Sequence, residues 1–216
     1  MKKTLSIAGC MAILFACNNN SSNNAANTGS SDHAAHTETN SSTQNQVNPV
    51  TTTMDKMMQA MHGINPTGND VDFAAMMLEH HKGAVEMSQV EIGKGKNDEL
   101  KAFAKKVIDD QNEEIGFMQA FISKHTKTKS SNSAGFQKAL NGSMMAMMNS
   151  KTAIYNDIDK DFAAQMIPHH QSAVDMAKVY LKYGREAGLI TLCQNIISSQ
   201  EKEINWLKEW LHEKVK

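Results

Sequence analysis

The sequence predicts an all-α fold: a four-helix bundle built from two repeated helical hairpins, each preceded by a short Met-rich helix. Three observations predict it. Residues 72–87, DFAAMMLEHHKGAVEM, return at residues 161–176 as DFAAQMIPHHQSAVDM, an offset of 89 residues. The match runs on without a gap, pairing Gly95 with Gly184, Leu100 with Leu189, Gln111 with Gln200, and Glu114 with Glu203. A long repeat of this kind means one protein made from two copies of a unit. Apolar residues recur at helical spacing through both copies. Short Gly-containing turns join the long periodic segments, and long helices joined by short turns run antiparallel.

Residues 1–17 read as a targeting segment. Lys2 and Lys3 form a charged start, and residues 4–16 are apolar but too few to span a membrane. Leu14, Phe15, Ala16 and Cys17 look like a bacterial lipobox, so Cys17 is expected to carry a lipid after cleavage. That places the protein as an exported lipoprotein, at the outer membrane facing the periplasm or at the cell surface. Residues 18–52 are rich in Asn, Ser and Thr and hold few large apolar groups, so they read as a disordered tether.

The remaining residues, 53–216, are expected to form the bundle: repeat one at 53–125, a polar linker at 126–134, and repeat two at 135–216. Met54, Met57, Met58 and Met61 recur at three and four and make one helical stripe, with His62 at its end. Ile64 to Asn69 contain Pro66 and Gly68 and break the helix. Asp70 or Asp72 is expected to cap the next helix, over about 71–92. With about 100° per residue and Met77 at zero, Phe73, His80, His81, Ala84 and Met87 all fall within about 80° of it. Both His therefore lie on the buried stripe. Glu79, Lys82 and Glu86 lie opposite. Gly93 to Asn97 turn the chain, and a helix over about 98–125 buries Leu100, Phe103, Val107, Ile108, Ile115, Met118 and Ile122.

Repeat two follows the same plan. Met144, Met145, Met147 and Met148 echo the first Met cluster. A helix over about 158–182 carries His169 and His170, with Pro168 expected to kink it one turn before them. The last helix buries Leu189, Leu192, Cys193, Ile196, Ile204 and Leu207. Two hairpins bury their stripes best against each other, and about 150 residues hold one core without disulfides. None is expected, because Cys193 is the one thiol outside the targeting segment and the lipid site.

The formal net charge is −1, and the chain has no basic stripe, which argues against a nucleic-acid partner. No Ser or Cys sits in a nucleophile elbow, and no organic cofactor motif is present. Imidazole and thioether together form a soft ligand set, suited to Cu(I) and by the same reasoning to Ag(I). Met alone is more often core filler than ligand. Four His in one core are harder to explain that way, since each buried ring needs a partner. Adjacent His on a helix diverge by about 100°, so His80 and His81 are not expected to share one ion. The expected groupings are His81 with Met77, His80 with Met76 or Met87, His170 with Met166, and His169 with Met176. Met54, Met57, Met58, Met61, His62, Met118, Met144, Met145, Met147 and Met148 form a wider candidate set. Gln111, Glu114, Gln200 and Glu203 either hydrogen-bond the imidazoles or form a shared solvent face.

The paired HH motifs, preceded by DFA and followed by A-V-x-M and Q-x-x-E-I, resemble the family called domain of unknown function 305. The resemblance covers residues 71–123 and 160–212. Repeat two has the family's MIPHH form; repeat one has MLEHH, departing at Glu79. The resemblance implies a ferritin-like four-helix bundle that binds copper or silver outside the cytoplasm, through His80, His81, His169, His170 and nearby Met. The expectation is a binding protein and not an enzyme. It would sequester Cu(I) or pass it to a copper-handling protein, held to a membrane through Cys17. The alternatives are a metal-free helical interaction module and a ferritin-like di-iron oxidase. For the oxidase, only Glu209 and His212 have the required spacing.

Overall fold

The computed structural model describes residues 48–65, 67–125 and 133–215. The expected targeting segment, the lipid site at Cys17 and most of the tether lie outside them. Six helices follow in order: α1 (Pro49–His62), α2 (Asn69–Lys94), α3 (Asp98–His125), α4 (Ala134–Met148), α5 (Ile158–Tyr183) and α6 (Ala187–Val215). This is the all-helical bundle of two hairpins, each with a short Met-rich helix in front. None of these helices is long and apolar enough to cross a membrane.

The bundle begins earlier than residue 53. Asn48 caps α1 by accepting from Val50 N–H at 2.9 Å, and Pro49 takes the first helical position, where its missing N–H costs nothing. Val50 is fully buried. A polar run of Thr hid this start, because the helix is held by its cap and one apolar anchor.

α2 and α5 pack against each other at the centre. α3 packs on α2, and α6 on α5. α1 and α4 cover α2 and α5 on another side, with Met57 seated over Gly83 and Met147 over Ser172. The two central helices are therefore buried on several sides, and both carry buried residues all round. α5 continues unbroken through Pro168, which does not end the helix.

The core divides into two apolar clusters. One holds Phe73, Met77, Met118, Met176, Tyr180, Leu189 and Cys193. The other holds Ala84, Met87, Leu100, Val107, Phe162, Met166 and Leu207. Each joins the start of one central helix to the end of the other, so neither repeat owns a core of its own.

The Asp residues expected as caps act differently. Gly68 occupies the N-cap of α2 with no side-chain bond. Asp72 instead reaches back, accepting from Thr67 N–H at 2.6 Å and Gly68 N–H at 3.1 Å. Its repeat partner Asp161 accepts from Tyr155 and Asp157 N–H in the same way, and also from Asn48 Nδ2 at 2.8 Å. Asp70 accepts the Tyr180 hydroxyl.

Asp159, the repeat partner of Asp70, faces Glu91, the repeat partner of Tyr180. Asp159 takes the N–H groups of Lys96 and Asn97 at 2.8 and 3.0 Å. Burial alone would raise its pKa, but the bonds from Asn97 and Lys96, together with Glu91 and the charge of Lys101, outweigh it and hold the carboxyl below its usual range. Glu91 is fully buried, and its carboxyl oxygens meet no donor. Burial, then the contact with Asp159, pushes its pKa up to about 8. Glu91 therefore keeps its proton at neutral pH.

Gly95 and Gly184 end α2 and α5 without a left-handed φ. Their smallness is what matters. A Cβ at Gly95 would lie 2.2 Å from Glu91 Oε1, and one at Gly184 would lie 2.2 Å from the Tyr180 ring.

A raised carboxyl pKa gives stability that is complete below the unfolded value of 4.5 and is lost as pH climbs through about 8. Glu91→Gln needs no proton and can donate to Asp159. It should stabilise the protein by about 1–3 kcal/mol at pH 7 to 8 and have little effect below pH 4.5. Thermal melts of both proteins across that range check this. A constant difference at every pH would contradict it.

Candidate metal centre

The four predicted His meet in one layer where α2 crosses α5, between the two apolar clusters. All four are fully buried. His80 and His169, equivalent in the repeat, stack with ring centroids 3.8 Å apart and planes at 34°. His81 and His170 point outward from that pair, each about 6 Å from its neighbour, at 6.2 and 6.0 Å. The planes of adjacent rings are inclined at 57° and 60°. The cross-repeat stack was not legible in the sequence, since no periodicity says which rings meet.

Three of the rings are hydrogen-bonded through Nε2, and the fourth, His170, meets a carboxylate there. His81 Nε2 lies 2.6 Å from Glu114 Oε2. His170 Nε2 lies 3.1 Å from Glu203 Oε2, without the alignment of a hydrogen bond. Glu114 and Glu203 realise the contact with the imidazoles, whereas both amide atoms of Gln111 and the amide oxygen of Gln200 are buried with no hydrogen-bond partner. Gln111 and Gln200 are buried as well, leaving no shared solvent face. Lys106 bonds Glu203 at 3.0 Å and also contacts Asp110. Burial alone would raise the Glu203 pKa, but His170 and Lys106 outweigh it and bring it below the usual range.

His169 Nε2 lies 3.0 Å from the backbone oxygen of His80. His80 Nε2 lies 2.6 Å from Ser172 Oγ, which also lies 2.8 Å from the His169 backbone oxygen and 3.2 Å from Met147 Sδ. The repeat partner of Ser172 is Gly83, where Met57 leaves no room for a side chain. That difference makes the two halves of the layer inequivalent. Burial, and then the other rings, hold His80 and His169 well below the ordinary imidazole pKa, so both are neutral at pH 7. A neutral imidazole is the form that ligates. All four Nδ1 atoms are buried and without a hydrogen-bond partner.

Sulfur flanks the layer on both sides. Met77, Met176 and Met118 belong to one apolar cluster, and Met87 and Met166 to the other. Leu207 stands where Met118 has its repeat partner, so the two sides differ. Met76 is buried in the first of these clusters, on its groove side. It forms part of a groove of about 310 Å³ with Met58, Met61, His62, Met144, Met145 and Met148. The two pre-helix Met clusters thus converge on one face. A neighbouring groove shares Met58, His62 and Met148, includes Met54, and has Gln165, the repeat partner of Met76, in its lining. Met57, Met61, Met144 and Met147 are buried, whereas Met145 and Met148 are half exposed.

Among the described residues no three His, Cys, Asp or Glu side chains group as a metal site. Glu209 and His212, the spacing a di-iron centre would use, are exposed near the end of α6. Cys193 is buried, and burial pushes its thiol pKa far up, as befits a core residue.

Fold and site together define an all-helical bundle with a buried histidine layer edged by thioethers. A family model described as Domain of unknown function (DUF305) matches residues 16–122 and again 70–211, and the chain belongs to that family. Among solved structures, CopM in a silver-bound form is 29% identical. The match covers 68% of this chain and 98% of that one, with a TM-score of 0.53. CopM in its Cu(I)-bound form is likewise 29% identical over 67% of this chain and 96% of that one, with a TM-score of 0.52. A putative secreted DUF305 protein from Streptomyces coelicolor shares the fold, at 24% identity and a TM-score of 0.56, over 68% and 94% of the two chains. None of the curated proteins matches.

Ser172→Ala would leave the His80 Nε2 donor buried and unmatched, at an expected loss of about 1–3 kcal/mol. Ser199→Ala, which removes only bonds to carbonyls of its own helix, should stay within about 0.5 kcal/mol. Urea denaturation of the two variants compares them, and equal effects would contradict the role given to Ser172.

Proposed function

We propose that this protein binds Cu(I), and Ag(I) in the same way, at the buried histidine layer and the thioethers beside it, and that it sequesters or hands on the ion without catalysis. The observation that carries the reading is the set of four buried rings whose Nδ1 atoms have no hydrogen-bond partner, placed between two groups of Met sulfur. A buried nitrogen lone pair with nothing to accept is costly unless something binds it. Imidazole and thioether favour a soft monovalent cation over a hard one. The likeness to CopM, solved with silver, Cu(I) and Cu(II), supports the same class of cargo.

The Met groove over α1 and α4 is where an ion would first meet sulfur. Met76 joins that groove to the turn of α2 that precedes His80. Gln165 gives the matched groove an amide there, so entry is by the Met76 side. Within this reading, Cys17 carries a lipid and the protein works outside the cytoplasm, tethered to a membrane. The partner that gives or receives the ion is a copper-handling protein.

Anaerobic titration with Cu(I) against a competing chelator tests the proposal. Replacing His80, His81, His169 and His170 together by Ala should weaken binding at least about 100-fold. Unchanged affinity in a folded variant would remove the assigned site. Met76→Gln should slow uptake, and Gln165→Met should restore part of the rate in that background.

A further inference from the structure

The contacts at Nε2, hydrogen bonds for three rings and a nearby carboxylate for His170, decide which nitrogen of each is bare. A backbone oxygen only accepts, so the His169 Nε2 that faces the His80 carbonyl at 3.0 Å must carry the proton. Glu114 presents a carboxylate to His81 Nε2 at 2.6 Å, and a carboxylate accepts. Ser172 has one hydroxyl proton, and two acceptors compete for it: the His169 carbonyl and Met147 Sδ. Its oxygen is then left to accept from His80 Nε2. Glu203 faces His170 Nε2 at 3.1 Å. His80, His81 and His169 are thus driven to the same tautomer, with Nε2–H outward and a lone pair on Nδ1, and the negative charge of Glu203 favours the same form of His170.

We infer that Glu114 and Glu203 are positioning residues: each holds the Nε2–H of the imidazole beside it, so that the atom offered to a soft monovalent cation is Nδ1. The inference rests on the cation reading above and adds to it the ligand atom and the residues that select it. Nδ1 lies next to Cγ, nearer the helix backbone than Nε2. Coordination there keeps the ion close to its own helix, within reach of Met side chains one turn away, and away from the carboxylates. A carboxylate on the far nitrogen also raises the basicity of the ligating one.

The two carboxylates are not equal. Lys106 bonds Glu203 and draws on its charge. Its repeat partner is Asn195, which lines the groove beside Glu114 together with Asp110 and Glu113. Among the described residues no Lys or Arg lines that groove beside Glu114, in accord with its shorter contact to His81. Glu114 should therefore matter more than Glu203.

Long-range proton–nitrogen NMR on the 15N-labelled protein tests this directly. Without metal, all four rings should show a protonated Nε2 and a bare Nδ1. Added Ag(I) should move the Nδ1 resonances and leave Nε2 protonated. Glu114→Ala should let His81 populate both tautomers and lower Ag(I) affinity about 10- to 100-fold, while Glu203→Ala does less. Glu114→Gln, whose amide oxygen still accepts, should keep the tautomer and lose less affinity. It also serves if the Ala variant does not fold. Ag(I) shifting Nε2, a wild-type His81 protonated on Nδ1, or an unaltered tautomer in Glu114→Ala would overturn the inference while leaving the cation reading in place. No Ag(I)-dependent shift at any imidazole would overturn the cation reading and the inference with it.

Discussion

The stack of His80 on His169 is the contact on which the rest of the structure depends. Two imidazoles 3.8 Å apart in a fully buried layer must both be uncharged, because two imidazolium ions there would repel without solvent to screen them. Desolvation, with the neighbouring rings, secures that state. Neutral rings in turn need few partners, and one contact per ring at Nε2 is what the surrounding helices supply. The layer fixes how α2 crosses α5. It also explains why the apolar core forms two clusters on either side and not one continuous interior.

The ends of the central helices repeat this theme with different chemistry. At one end a phenol donates to a carboxylate, Tyr180 to Asp70. At the other, a protonated Glu91 lies beside Asp159. The repeat gives both ends the same backbone plan, including the glycine that lets each large side chain fold back. Divergence at one position then made one end indifferent to neutral pH and the other responsive to it.

Much of this was legible in the sequence because it is local. The 89-residue offset and the three-four spacing of Met and His locate the helices to within a few residues and put both His pairs on buried faces. Spacing alone also shows that the side chains of His80 and His81 diverge by about 100°. What was not legible depends on how helices meet. Nothing in the pattern reveals that His80 lies on His169, that Ser172 bridges to Met147, or that Asp72 and Asp161 reach back to their loops instead of capping. The start of α1 was missed because Asn48 and Pro49 sit in a polar run that reads as tether. The partnership of Glu114 and Glu203 with the rings was visible as one of two options. Only the fold decides it, by turning α3 and α6 so that those carboxylates face inward.

The composite clusters bear on how such a protein came to exist. Each joins the beginning of one repeat's central helix to the end of the other's, and the His80–His169 stack lies where a two-fold axis relating the repeats would pass. A single hairpin of this design has no complete interior, so it could persist only by pairing with a second copy. Face-to-face pairing of identical chains is the commonest symmetric association. Fusion of two such genes would have turned an intermolecular contact into an intramolecular one, freeing the halves to drift apart. Ser172 opposite Gly83, Gln165 opposite Met76 and Tyr180 opposite Glu91 are the marks of that drift, none of which an obligate homodimer could have acquired on one side alone.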